Sequence, residues 1–138
     1  MAERKILFVD DDEDQREIIN AIIEKLGYHV ETVGTSEAAI EALAVNKYPL
    51  IITDLKMPGI DGTELCKRIR ETGSESVIYA LSGHVAEFEI ELFEKIGFDG
   101  HLCKPVSVKV LKQAIEGAFE RLGLDLDEPE ALGGTRRE

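Results

Sequence analysis

The stretch Leu50-Ile51-Ile52-Thr53-Asp54-Leu55-Lys56-Met57-Pro58-Gly59-Ile60-Asp61-Gly62 decides the fold. Its apolar run ends abruptly in a carboxylate, and a Pro-Gly turn and a helix start follow. Such a run reads as a strand buried on both faces. Asp54 then stands at the carboxyl end of that strand, where open α/β sheets bind their ligands. Taken alone, Asp54 is better explained as a turn or capping aspartate, since Asp is common in turns. Its meaning depends on what else reaches the same end of the sheet.

On either side, apolar strands alternate with amphipathic helices. The first strand runs from Arg4 to Asp10, with Ile6-Leu7-Phe8-Val9 as its apolar run. Five acids follow it, Asp10 to Asp14, and lead into a helix to Leu26. Ile18, Ile19, Ile22, Ile23 and Leu26 form that helix's apolar side, and Gly27 stops it. Tyr28–Val33 is a more polar second strand. Thr35 or Ser36 caps a second helix, which ends near Asn46 and carries Ala38, Ala39, Ala42 and Leu43 inward. The strand at Pro49–Thr53 precedes a third helix, Gly62–Glu71, opened by an Asp61/Glu64 capping box. Val77–Leu81 and Asp99–Cys103 are further strands. A helix at Val85–Ile96 lies between them, and one capped by Ser107 and reaching Leu122 follows.

Five strands alternating with five helices imply a parallel sheet covered on both faces. The first, third and fourth strands are the most apolar and belong in the centre. Right-handed crossovers then favour the order 2-1-3-4-5. In that order Asp10 and Asp11 approach Asp54 at the switch point between the first and third strands.

Composition narrows the function. The 138 residues, 43% hydrophobic and 32% charged, suit one globular domain, taken as residues 1–122 with an acidic tail at 123–138. Sixteen Lys and Arg against 28 Asp and Glu leave a net charge of -12, which argues against direct binding of nucleic acid or an anionic membrane. No apolar run nears the roughly 18 residues that span a bilayer, and no signal-peptide core follows Met1, so a cytoplasmic location is expected. Cys66 and Cys103 form no CxxC pair and read as two reduced thiols, with Cys103 expected to be a buried strand thiol.

A carboxylate cluster at adjacent strand ends is costly without a compensating cation. Mg²⁺ suits it, being hard and usually held by one or two carboxylates with water and phosphate. A carboxylate beside Mg²⁺ can attack a phosphoryl group and form an acyl phosphate. Lys104 at the fifth strand end supplies an ammonium and Ser82 at the fourth a hydroxyl, and Pro105 is a candidate for a cis bond. A calcium loop beginning at Asp10-x-Asp12-x-Asp14 fails, because Gln15 replaces the turn glycine and Ala21 the bidentate glutamate. There is no GxxxxGK[ST] and no GxGxxG.

Ile6-Leu7-Phe8-Val9-Asp10-Asp11 with Arg16, the Asp54–Gly62 run, Ala80-Leu81-Ser82-Gly83 and Lys104-Pro105 together resemble the receiver domain of two-component response regulators, from about Lys5 to Leu122. The resemblance implies a flavodoxin-like receiver fold with Asp54 as the phosphoacceptor, charged by a sensor histidine kinase's phosphohistidine or by a phosphotransfer protein. It implies Mg²⁺ on Asp10, Asp11, Asp54 and the backbone carbonyl of Lys56, with Asp12 an extra, solvated acid. Ser82 and Lys104 would hold the phosphoryl group. The side chain at 101 would relay its presence to the face of the fourth helix, fifth strand and fifth helix. Position 101 is usually aromatic in this family, and His101 departs from it: it either swings as the aromatic does or is a solvated edge residue. Lys56 and His84 occupy positions that tune loss of the phosphoryl group. Lys56 is expected to slow it, and Lys56→Ala to shorten the phosphorylated lifetime; an unchanged lifetime would refute this.

Two output features stand out. The last helix carries one stripe, Val108, Leu111, Ile115, Ala118, Phe119 and Leu122. The fourth spreads Val85, Ala86, Phe88, Ile90, Leu92, Phe93 and Ile96 over a wider arc than sheet packing needs, which points to a downstream-partner or homodimer surface testable by charges at Ile90 or Phe93. Output is expected through protein contacts, or from further domains if the chain is part of a longer regulator. The competing class is a Mg²⁺-dependent phosphohydrolase working through Asp54, which would need a substrate cap that no insertion here is long enough to form. A receiver-like domain that only binds partners would need a broken acidic set.

Overall fold

The computed structural model describes residues 5–83 and 87–123; the tail assigned to 123–138 and His84 lie almost wholly or wholly outside these residues. The elements are β1 Lys5–Val9, α1 Glu13–Lys25, β2 His29–Val33, α2 Ser36–Val45, β3 Leu50–Asp54, α3 Gly62–Glu71, β4 Val77–Ser82, α4 Glu87–Ile96, β5 Gly100–Cys103 and α5 Val108–Arg121. The five strands form one sheet in the order β2-β1-β3-β4-β5, and every neighbouring pair is parallel. This is the doubly wound topology expected from the polarity of the strands. All five residues of β3 are buried, whereas the edge strand β2 has no fully buried residue. Asp54 is the last residue of β3 rather than the first of the loop, and its partner across the sheet is Leu81.

Alternation along the strands sends side chains into two cores. Ile6, Phe8, Leu50, Ile52 and Leu81 meet Ile19 and Ile23 of α1 and Leu111, Ile115 and Phe119 of α5. Leu7, Val9, Ile51, Ile78 and Ala80 meet Ala39 of α2, Leu65, Cys66 and Ile69 of α3, and Phe93 of α4. Helix starts are capped by side chains: Asp12, Thr35, Asp61 and Ser107 each accept from a backbone N–H in the first turn. Asp12, expected to be only a solvated acid, is exposed and is the cap of α1, accepting from Asp14 and Gln15.

Four side-chain placements correct the expected pattern. Cys103 is exposed, not buried: Leu102 faces the α5 core, so its neighbour on the last strand must face away. Ile18 and Val108 lie on the apolar stripes of α1 and α5 but are 54% and 52% exposed, because the sheet covers only the middle of each stripe. Phe93 is only 6% exposed and packs edge-on against Phe98 at 5.5 Å, so it belongs to the core and is no surface probe. Cys66 is buried, and burial pushes its thiol up to about 11, an unreactive setting.

At the end of the sheet away from Asp54, Arg70 ties α3 to the segments around it. Its Nε donates to the carbonyl of Gly97 (2.9 Å), Nη1 to those of Ser74 (3.0 Å) and Ser76 (2.7 Å), and Nη2 to Asp99 Oδ2 (2.8 Å). Asp99 Oδ2 also accepts from the N–H of Ile78 (2.9 Å), and Oδ1 accepts from Arg121 (3.1 Å). Arg70→Ala strands several acceptors at once, but water reaches part of the site. A loss of about 2 kcal/mol is expected, read from the denaturant midpoint; an unchanged midpoint would show that water replaces the guanidinium without cost.

Candidate functional site

The carboxyl ends of β1, β3, β4 and β5 converge. Asp10 follows β1 directly, and its N–H continues the ladder to Val33 O (3.1 Å). Asp54 closes β3, Ser82 closes β4, and Lys104 follows β5 with its N–H on Ser82 O (2.8 Å). Carboxylate oxygens of Asp10, Asp11 and Asp54 lie within 4.8 Å of one another. Lys104 Nζ donates to Asp54 Oδ2 at 3.1 Å and stands 3.8 Å from Asp10 Oδ2. The Lys104–Pro105 bond is cis.

Asp10 is the most constrained of the acids. It is fully buried, and its Oδ1 accepts from the N–H of Asp12 (3.0 Å). Its Oδ2 is buried with no hydrogen-bond partner among the described residues. Burial drives its pKa above the ordinary 3.8; the Asp12 N–H opposes this, the charge of Asp54 adds to it and that of Lys104 opposes it. An orphaned carboxylate oxygen, beside two further carboxylates, is the environment a hard divalent cation satisfies, so these residues fit Mg²⁺. Asp54 is 7% exposed and open at one side, whereas Asp11 is exposed.

Ser82 is half-buried and sits in register with Cys103, and Ala80 with His101. The ring of His101 meets Phe93 edge-on at 6.4 Å, toward α4. Lys56 is exposed just beyond the acidic cluster. Gly62 carries a constraint that its reading as the start of a helix does not reveal. A Cβ there would lie 2.2 Å from the carbonyl oxygen of Asp54 and 2.9 Å from the Cα of Leu55. The local sequence signal is a glycine at the first position of α3, a choice that the Asp61 cap does not itself require.

Residues 6–116 match the family model described as "Response regulator receiver domain". The chain is 33% identical over 110 residues to the autoinducer 1 sensor kinase/phosphatase LuxN of Vibrio harveyi, covering 80% of this chain and 13% of that protein. It is 30% identical over 118 residues to the alkaline phosphatase synthesis transcriptional regulatory protein PhoP of Bacillus subtilis, covering 86% and 49%. It thus spans about half or less of the length of such curated relatives. Among solved structures, the receiver domain of Francisella response regulator 1452 superposes with a TM-score of 0.82 at 26% identity, covering 87% of this chain and 99% of that one. The receiver domain of the sensor histidine kinase PA1611 of Pseudomonas aeruginosa, with a magnesium ion in its active-site cleft, gives 0.77 at 26% identity, covering 86% and 99%. The chain belongs to the response regulator receiver family and is a receiver domain of two-component signal transduction.

Proposed function

We propose that Asp54 takes a phosphoryl group from the phosphohistidine of a sensor histidine kinase or phosphotransfer protein, and that the product switches a protein-binding face. The observation that carries this is the Asp54 carboxylate at the open end of β3, with Lys104 Nζ at 3.1 Å and the Asp10 and Asp11 oxygens in the same cluster. An oxygen of Asp54 forms the new O–P bond as the P–N bond to the donor imidazole breaks, and the imidazole nitrogen keeps the electron pair. Lys104 exchanges its bond to the carboxylate for one to a phosphoryl oxygen, neutralising charge where it develops. Asp10, Asp11, Asp54 and the backbone carbonyl of Lys56 are the groups that would hold Mg²⁺, which when bound offsets the negative charge of both reactants. Ser82 bonds the transferred group, and His101, beside it on the same face of the sheet, relays the change toward α4. Lys56, free in solvent, shields the acyl phosphate; His84 is assigned the same tuning role from its sequence position alone.

Residues 1–122 form the phosphoacceptor domain on this reading, 123–138 an acidic tail, and the site of action is the cytoplasm. No described helix is long and apolar enough to cross a membrane. The output face comprises α4, β5 and α5, where Ile90 (37%), Leu92 (51%) and Val110 (44%) are exposed apolar residues. Leu92→Glu is expected to weaken binding of the downstream partner or of a second copy by tenfold or more, on the order of an interface contact. Stability should change by less than about 0.5 kcal/mol. Unchanged association by both sedimentation and pull-down would remove α4 from the interface.

Intact-mass spectrometry after incubation with acetyl phosphate and Mg²⁺ tests the reading. One phosphoryl group, absent in Asp54→Ala, is expected. Continuous phosphate release from monoesters would make the protein a phosphohydrolase instead, and no adduct at all would leave a partner-binding module.

A further inference from the structure

We infer that Arg16 and Gly34 form a positioning pair that holds the Asp10–Asp11 turn in the geometry a divalent cation requires; this rests on the proposed role of those acids as the cation site.

Arg16 lies in the first turn of α1, and its Nη1 donates to the backbone carbonyl of Asp10 at 2.8 Å. The N–H of Asp10 is held by Val33 O, and its Oδ1 by the N–H of Asp12. Asp10 is therefore fixed on three sides, and only Oδ2 is left to face the cluster. Of these three bonds, only the one from Arg16 comes from a side chain other than that of Asp10 itself, and it can be removed by substitution without touching the main chain or the carboxylate.

Gly34 is where this guanidinium is seated. A Cβ at position 34 would stand 2.8 Å from Arg16 Nη1 and 3.3 Å from its Cζ. The conformation of Gly34 does not itself call for glycine; the guanidinium does. Gly34 directly follows Val33, whose carbonyl holds Asp10. One short segment after β2 thus supplies both the acceptor for the Asp10 N–H and the floor beneath the group that holds the Asp10 carbonyl.

A group that orients a metal ligand without binding the metal typically contributes ten- to hundredfold in affinity. Arg16→Ala and Gly34→Ala are each expected to weaken Mg²⁺ binding on the order of tenfold, measured by calorimetry with Mg²⁺ alone. Phosphorylation by acetyl phosphate at saturating Mg²⁺ should stay close to the unmodified rate, because neither residue reaches the reacting atoms. Gly34→Ala is the more telling variant: it changes no charge and removes no hydrogen-bonding group, and acts only by displacing the guanidinium. Arg16→Lys, which keeps the charge and a donor, should recover part of the affinity. The double variant should bind Mg²⁺ no worse than Arg16→Ala alone, since both lesions remove one interaction. Thermal unfolding without Mg²⁺ verifies that each variant is folded, and if Arg16→Ala is not, Gly34→Ala decides. Unaltered Mg²⁺ affinity in Gly34→Ala, or additive losses in the double variant, would overturn the pairing. Failure of the unmodified protein to bind Mg²⁺ would instead overturn the cation site itself, and the pairing with it.

Discussion

Gly62→Ala is expected to cost about 3 kcal/mol of stability and to remove most phosphorylation of Asp54. A methyl group at position 62 would meet the carbonyl oxygen of Asp54 at 2.2 Å, the Cα of Leu55 at 2.9 Å and the carbonyl carbon of Asp54 at 3.1 Å. All three are main-chain atoms, so no side-chain rotation relieves the clash. Either α3 withdraws from the end of β3, breaking the bond from Gly62 N to Leu55 O (2.9 Å), or the peptide group of Asp54 turns and takes the carboxylate with it. Overpacking typically costs about 1–3 kcal/mol, and the rigid partner here puts the site at the upper end. Helix propensity works the other way, since alanine is favoured over glycine by about 1 kcal/mol inside a helix. The steric term is larger and sets the sign. Gly117 provides the contrast: it lies within α5 with nothing within 4 Å of its would-be Cβ. Gly117→Ala should therefore stabilise the domain by about 0.4–1 kcal/mol. Denaturant midpoints of the two variants, with the extent of acetyl phosphate labelling, make the comparison. Equal midpoints for Gly62→Ala and the unmodified chain would show that α3 can shift without cost.

The contrast marks what could be read from the chain and what could not. Strand order followed from polarity because burial on both faces demands a continuous apolar run, and β3 has one in Leu50–Ile52 while His29–Val33 does not. The meeting of Asp10 and Asp54 then followed from the pairing of β1 with β3. Periodicity failed at the margins. Ile18 and Val108 repeat with the same spacing as their buried neighbours, and a repeat says which side of a helix is apolar but not how far the sheet extends beneath it. Cys103 was misplaced for a related reason: a four-residue edge strand has too few positions for alternation to declare itself. The Arg70–Asp99 tie and the approach of Gly62 to Asp54 depend on chain segments passing close in space, and no local pattern records that.

Asp10→Asn should make the domain more stable without Mg²⁺ and unresponsive to Mg²⁺. Asp10 is wholly buried, its Oδ2 lacks a hydrogen-bond partner among the described residues, and the carboxylate of Asp54 stands in the same cluster. Lys104 at 3.8 Å from Oδ2 sits closer to Asp54, at 3.1 Å, and so compensates Asp10 only in part. Burial, opposed by the Asp12 N–H and reinforced by the charge of Asp54, raises the pKa of Asp10 in the folded state. The sign follows from that direction. A folded-state pKa above the ordinary 3.8 means that folding favours the protonated acid. The penalty is absent below the ordinary value, grows as pH rises from there toward the raised one, and levels off above it. Asparagine keeps the shape and the acceptor for Asp12, removes the charge, and offers an N–H₂ where the orphaned oxygen was. The expected gain is about 1–2 kcal/mol at neutral pH, vanishing toward pH values near the ordinary carboxylate range. Mg²⁺ at a hundredfold excess over its Kd should stabilise the unmodified protein by about 2.7 kcal/mol and the variant by little. Thermal unfolding across pH, with and without Mg²⁺, tests both halves. A variant less stable than the parent in Mg²⁺-free buffer would mean that Lys104 holds Asp10 as a stabilising ion pair, and that the acids are not strained in waiting for a cation.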